Sequence, residues 1–202
     1  MMVIDKSSSF DAKYYGKYYD DRRTRVHGAK AIARLCNAVT SFVEWWGHPL
    51  ETVLDVGAGI GLWRDWFKKN RPKTRYRSTE YSAYACKKYG HERRDISKWR
   101  ADESFDLVVC QGVLPYLDDA AAASALENLA SMTGGFLYLE AITKRDVKEV
   151  CDDVKTDVAV HLRTGAWYRK RMSKHFVEAG CGLWCKREAG VLFYELEASA
   201  TR

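Results

Sequence analysis

The segment Thr52-Val53-Leu54-Asp55-Val56-Gly57-Ala58-Gly59-Ile60-Gly61 constrains this chain more than any other. A short β-rich run passes directly into glycines at alternate positions, and a helix is predicted from Gly61 to Lys69. Glycine lets the backbone turn sharply and approach a ligand with no Cβ in the way. The first turn of the helix adds N–H groups that lack an intrahelical partner. A dinucleotide fingerprint needs glycine where Leu62 stands, and a phosphate loop needs a Gly-Lys-Ser/Thr that does not follow. Asp55, two residues before the first glycine, would repel a pyrophosphate and suits a cationic ligand instead.

Around this loop the predicted elements alternate. Aromatic residues Phe10, Tyr14, Tyr15, Tyr18 and Tyr19 cluster at helical spacing within 9–21, and an amphipathic helix runs from Thr24 to Trp46, stopped by Gly47-His48-Pro49. Strands are predicted at Thr52–Val56, Arg75–Glu80, Glu92–Ile96, Phe105–Cys110 and Gly135–Ala141. Helices follow at Gly61–Lys69, Ser82–Tyr89, from Asp118 or Asp119 to Met132, and Ala166–Ala179. Residues 144–164 are polar and carry no clear period; Gly182–Arg187 and Val191–Leu196 read as a closing hairpin. The expected fold is α/β: a doubly wound, mostly parallel seven-stranded sheet with one antiparallel strand, helices on both faces and an N-terminal helical cap. We expect the cap over 1–48 and the sheet domain over 49–202. In such sheets ligands sit at the carboxyl ends of the strands, beside the point where strand order reverses.

Composition narrows the partners. With 47% hydrophobic residues and three prolines the chain has material for a full core. The excess of 33 Lys and Arg over 27 Asp and Glu is spread out, without the dense basic stripe of a nucleic-acid binder. No run approaches the roughly 20 apolar residues of a membrane span, and a cytoplasmic protein is expected. Six cysteines and five histidines show no metal-ligand spacing, so no metal is expected.

Two further acids end strands: Glu80 the second and Asp95 the third. A carboxylate at the end of the second strand can accept from ribose hydroxyls, and one at the end of the third can meet an adenine amine. S-adenosylmethionine carries all three matching parts: a cationic end, a ribose and an adenine.

These motifs resemble the class I S-adenosylmethionine-dependent methyltransferases, a Rossmann-like superfamily, over roughly residues 50–197. Val53–Gly61 matches the first motif, Arg94-Asp95-Ile96 the adenine segment, and Phe105–Leu117 the fourth-strand motif. The resemblance implies S-adenosylmethionine as cofactor and S-adenosylhomocysteine as product. It implies that Gly57, Ala58, Gly59 and Gly61 cradle the methionine moiety and that Asp55 organises its amino group. Glu80 would hold the ribose, Asp95 and Ile96 the adenine, Gln111 would lie beside the methyl, and Tyr81 would also bind the cofactor.

The acceptor side is less defined. Tyr116 is the best-placed base or a packing aromatic, and His161 is a base in the unassigned segment or a surface histidine. Tyr14, Tyr15, Tyr18 and Tyr19 line the acceptor or pack on the sheet, and Trp167 and Tyr168 border the pocket or the core. The base-methylating pattern of Asp, Asn or Ser before Pro-Pro-aromatic is absent after the fourth strand, and no cysteine follows a proline there. A small molecule methylated on oxygen or nitrogen is therefore the expected acceptor. A protein amino terminus or RNA is the alternative within that chemistry, and cofactor binding without transfer is the alternative outside it.

Overall fold

A computed structural model of the chain describes residues 10–152 and 154–198. Its seven strands are β1 (Thr52–Val56), β2 (Arg75–Glu80), β3 (Glu92–Arg93), β4 (Phe105–Gln111), β5 (Thr133–Glu140), β6 (Phe176–Gly180) and β7 (Leu183–Lys186). They form one sheet in the order β3-β2-β1-β4-β5-β7-β6. The central strands β1, β4 and β5 are apolar on both faces and are buried along most of their length, as strands covered on both sides must be. β1 to β5 run parallel, whereas β7 runs antiparallel to both of its neighbours. The chain lays β2 and β3 to one side of β1 and then crosses back to β4, so strand order reverses between β1 and β4 and a crevice opens at their carboxyl ends.

Alternation along β1 sends Val53 to one face and Leu54 and Val56 to the other. On the first face, α2 (Ala29–Trp45) and α3 (Leu62–Asn70) bury Ile32, Cys36, Val43, Trp63 and Phe67 against Val53, Leu107 and Phe136. On the second, α5 (Asp119–Met132) and α7 (Gly165–Met172) bury Leu126, Leu129, Tyr168 and Met172 against Leu54, Val108 and Leu137. The remaining helices are α1 (Ala12–Tyr15), which continues into a wider turn at Gly16–Asp20, α4 (Ala83–Tyr89) and α6 (Lys144–Glu149). Among the described residues no helix is long and apolar enough to cross a membrane.

Three local expectations are corrected. The third strand is only Glu92–Arg93, because Asp95 turns the chain by accepting from Ser97 N–H and Oγ. The late helix stops at Met172, and Phe176–Gly180 is a strand that pairs with β7. The hairpin signal is Gly180-Cys181-Gly182, all three in the left-handed region at φ of 84°, 51° and 79°. Val191–Leu196 is not a strand. Phe193 packs on Trp46 at 5.1 Å, while Leu192, Tyr194 and Leu196 face solvent, so an alternating pattern is satisfied without a ladder.

The unassigned segment is tied down by Arg163, which is 4% exposed. Its guanidinium donates to the carbonyls of Leu114, Leu117 and His161 and to the Asp119 carboxylate. Asp119 itself is 76% exposed at its side chain, so the ion pair contributes little and the carbonyl bonds carry the stabilisation. Arg163→Met should cost about 3 kcal/mol, since each buried carbonyl left without a donor costs roughly 1–3 kcal/mol. Urea unfolding measures this, and a loss below about 1 kcal/mol would mean that water takes over these carbonyls.

Candidate active site

The loop after β1 closes by bonding to the strand beside it. Gly57 and Ala58 N–H both donate to the Thr79 carbonyl, at 2.9 and 3.0 Å. Gly57 has φ of 74°, and a Cβ there would lie 2.2 Å from Val113 Cγ2, so only glycine lets the loop pass the turn that follows β4. Glu80, 8% exposed at the end of β2, holds the loop from its other side. Its Oε2 accepts from Gly59 N–H at 2.9 Å, and its Oε1 accepts from Tyr81 and Ser82 N–H at 2.7 and 3.0 Å.

Asp55 lies beneath the loop, buried, and accepts from the Tyr76 hydroxyl at 2.7 Å. Burial raises its carboxyl from an ordinary 3.8 to about 7; the Tyr76 bond opposes that rise and the Glu80 charge adds to it.

Two adjoining cavities open at the carboxyl ends of β1, β2 and β4. The larger, about 580 Å³, is walled by Glu80, Tyr81, Asp95, Ile96, Tyr15 and His161. The smaller, about 190 Å³, is walled by Asp55, Ala58, Gly59, Trp63, Glu140 and Asp157, with Tyr18 at its side. Tyr14, Tyr19, Gly57, Gln111 and Tyr116 line both, so the chambers meet at these residues.

Gln111 is locked in orientation. Its Oε1 accepts from Trp63 Nε1 at 2.9 Å and its Nε2 donates to Glu140 Oε2 at 3.0 Å. Tyr138 donates to the same Glu140 oxygen at 3.2 Å. Glu140 and Trp63 are absent from the sequence candidates. Glu140 ends β5 as Glu80 ends β2, and the same strand-end rule would have found it.

The tyrosines form the roof. Ser82 Oγ donates to the Phe10 carbonyl at 2.6 Å, and Tyr15 stacks on Tyr84 with ring centres 5.8 Å apart. Tyr14 and Tyr116 hydroxyls lie 2.8 Å apart, and Tyr116 donates to Asp157 Oδ2 at 3.1 Å. A phenol has one hydrogen, so Tyr14 is the donor to Tyr116. Burial pushes both phenols far above their ordinary value, with the Asp157 charge adding to the rise. Nothing in the periodicity of 144–164 marked Asp157.

Other candidates fall elsewhere. Gly61 caps α3 at φ of 83°. The guanidiniums of Arg163 and Arg171 lie over Trp167, 4.9 and 3.6 Å from its ring centre, and Tyr168 is buried in the core; neither aromatic lines the two cavities. Asp95 both lines the larger cavity and caps its turn.

A family model described as a methyltransferase domain matches residues 26–182. No curated protein sequence matches the chain. The structure is similar to an S-adenosylmethionine-dependent methyltransferase from Clostridium acetobutylicum ATCC 824, at 13% identity and a TM-score of 0.61 over 93% of this chain and 94% of that one. It is similar to Streptomyces venezuelae DesVI at 16% identity and a TM-score of 0.59, over 92% of this chain and 99% of that one. A third similar structure is S-adenosylmethionine-bound CalS10, an amino pentose methyltransferase from Micromonospora echinaspora, at 13% identity and a TM-score of 0.57 over 76% of this chain and 91% of that one. Other solved relatives are longer, and the chain spans 45% of one and 59% of another. At these identities the likeness is one of fold.

The buried carboxyl sets a pH test. A group whose acid is strengthened in the unfolded chain relative to the folded one stabilises the fold fully below pH 3.8 and loses that contribution as pH rises through about 7. Asp55→Asn stays neutral, so the ligand-free variant should match the native protein in acid and melt higher at about pH 8. Calorimetric melting across this range checks it; a constant gap between the two curves would refute the assignment.

Proposed function

The chain belongs to the methyltransferase-domain family, and from that premise we propose that it transfers a methyl group from S-adenosylmethionine to an amine or hydroxyl of a small molecule. The observation that carries this reading is the pair of joined cavities at the reversal of strand order. The lining suits the cofactor part by part. Glu80 retains acceptor capacity on Oε2 for a ribose hydroxyl, and Ile96 offers an apolar wall with Asp95 and Tyr81 beside it. Asp55 and the bare backbone at Gly57, Ala58 and Gly59 suit a cationic amino-acid end. In this reading residues 10–20 serve as the cap, whereas α2, expected within a cap over 1–48, packs on the sheet with the cofactor domain; residues 1–9, 153 and 199–202 lie outside the described residues.

When bound, S-adenosylmethionine supplies an electrophilic methyl on a positively charged sulfur. The protein contributes alignment and the exclusion of water. Gln111, held by Trp63 and Glu140, gives the junction of the chambers a fixed wall. Tyr14 and Tyr19 line the same junction, with Tyr15 at the larger chamber and Tyr18 at the smaller. Tyr116 stays a neutral donor and is not itself the base, because its hydrogen is committed to Asp157. Tyr14 has given its own hydrogen to Tyr116, so it presents lone pairs alone. An acceptor N–H or O–H donates to Tyr14; its proton passes to Tyr14 Oη while Tyr14's own hydrogen moves to Tyr116 and Tyr116's to Asp157 Oδ2, so both phenols end neutral and the carboxylate ends protonated. His161 lines only the larger cavity, so this route does not pass through its imidazole. The smaller chamber is lined by three carboxyl residues, Asp55, Glu140 and Asp157, and one lysine, Lys155, a lining poorly suited to a polyanion such as RNA.

Glu80→Ala should weaken S-adenosylmethionine binding in calorimetry by roughly 10-fold or more, the loss expected for hydrogen bonds to a charged group. Unchanged affinity would remove the ribose assignment. In thermal-shift measurements the native protein should be stabilised by S-adenosylmethionine and not by NAD; the reverse ranking would point to a dehydrogenase.

A further inference from the structure

We infer that His91 is a positioning residue for the amino-acid end of the cofactor, acting through the Gly59 carbonyl. The inference rests on the reading of the Gly57–Gly61 loop as the S-adenosylmethionine cradle. His91 follows the left-handed Gly90 that ends α4 and immediately precedes β3, and it is 7% exposed. Its Nδ1 lies 2.8 Å from Ser78 Oγ on β2, and its Nε2 lies 3.2 Å from the Gly59 carbonyl oxygen. A carbonyl only accepts, so Nε2 carries the hydrogen, and Nδ1 accepts from the Ser78 hydroxyl. Burial and the nearby Arg64 charge keep the ring below its ordinary pKa and therefore neutral.

Gly59 is thereby pinned on both sides. Its N–H is given to Glu80 Oε2 at 2.9 Å and its C=O is taken by His91. With φ of 57° it sits in a region that does not select one orientation by sterics alone for glycine, so the two side chains make the choice. The peptide that follows is planar and trans, so fixing the Gly59 carbonyl toward His91 turns the Ile60 N–H to the opposite side. Ile60 lines the smaller chamber, where Asp55 and Gly59 lie and where the amino-acid end of the cofactor belongs in this reading. An inward N–H there is a donor for a carboxylate. The adenosine end, in the larger chamber, depends on Glu80 and Ile96 and not on this peptide.

The two halves of the cofactor separate the role from general support of the fold. S-adenosylhomocysteine carries the amino-acid end; 5′-methylthioadenosine has the nucleoside and thioether without it. Calorimetry on the full chain should find that His91→Asn, which reaches Ser78 but not Gly59, binds S-adenosylhomocysteine about 10-fold more weakly while methylthioadenosine binding holds within about 2-fold. His91→Gln, whose terminal amide can reach the Gly59 carbonyl, should restore most of the loss. Should His91→Asn not fold, Ser78→Ala carries the test: freeing Nδ1 should weaken S-adenosylhomocysteine about 3-fold and leave methylthioadenosine unchanged. Equal losses for the two ligands, or no loss for either, overturn the inference. Failure of the native protein to bind S-adenosylhomocysteine overturns the cofactor reading instead.

Discussion

A single buried carboxylate organises the loops at the carboxyl ends of β1 and β2. Glu80 gathers three backbone N–H groups, from Gly59 in one loop and from Tyr81 and Ser82 in another. Bonds from N–H groups to an ionised oxygen are about twice as strong as neutral ones, and a buried charge without such partners is costly. The acid and the two loops therefore stabilise one another. Glu80, which knits β1 to β2, also lines the larger chamber, so the residue that holds the loop in shape is part of the wall.

The smaller chamber follows a different rule. Its polar groups are chained: Trp63 to Gln111 to Glu140, and Tyr14 to Tyr116 to Asp157. In each chain the hydrogens point toward a carboxylate. Lone pairs on Tyr14 and on the carboxylates are left at the cavity, beside the Lys155 ammonium. In the proposed reading those lone pairs are where an acceptor N–H or O–H bonds.

Much of this was legible in the residues. The apolar runs at Val53–Val56 and Phe105–Cys110 could only be buried strands, and the glycines after β1 had few uses. Glu80 at the end of β2 pointed to the larger chamber, and Asp95 lines it too, from a turn rather than a strand end. Two kinds of feature escaped. One was hairpin chemistry: Gly180-Cys181-Gly182 forms the reversal, yet the apolar residues from Phe176 to Ala179 also satisfy a helical period, and the period alone did not decide. The other was tertiary. Asp157 and Arg163 acquire meaning only when a polar segment without periodicity folds back over the turn after β4, and no local pattern encodes that return. Val191–Leu196 shows the converse, an alternation written for a strand but fulfilled by packing one side of an extended chain on Trp46.

The tyrosine roof couples the two chambers. Phe10 is fastened over the larger chamber by Ser82, and Tyr14 at the junction by Tyr116. One short strap thus shuts two rooms with a common door. In the proposed reading a nucleoside in one room and an acceptor in the other would pass beneath the same hinge-like seam of aromatic rings.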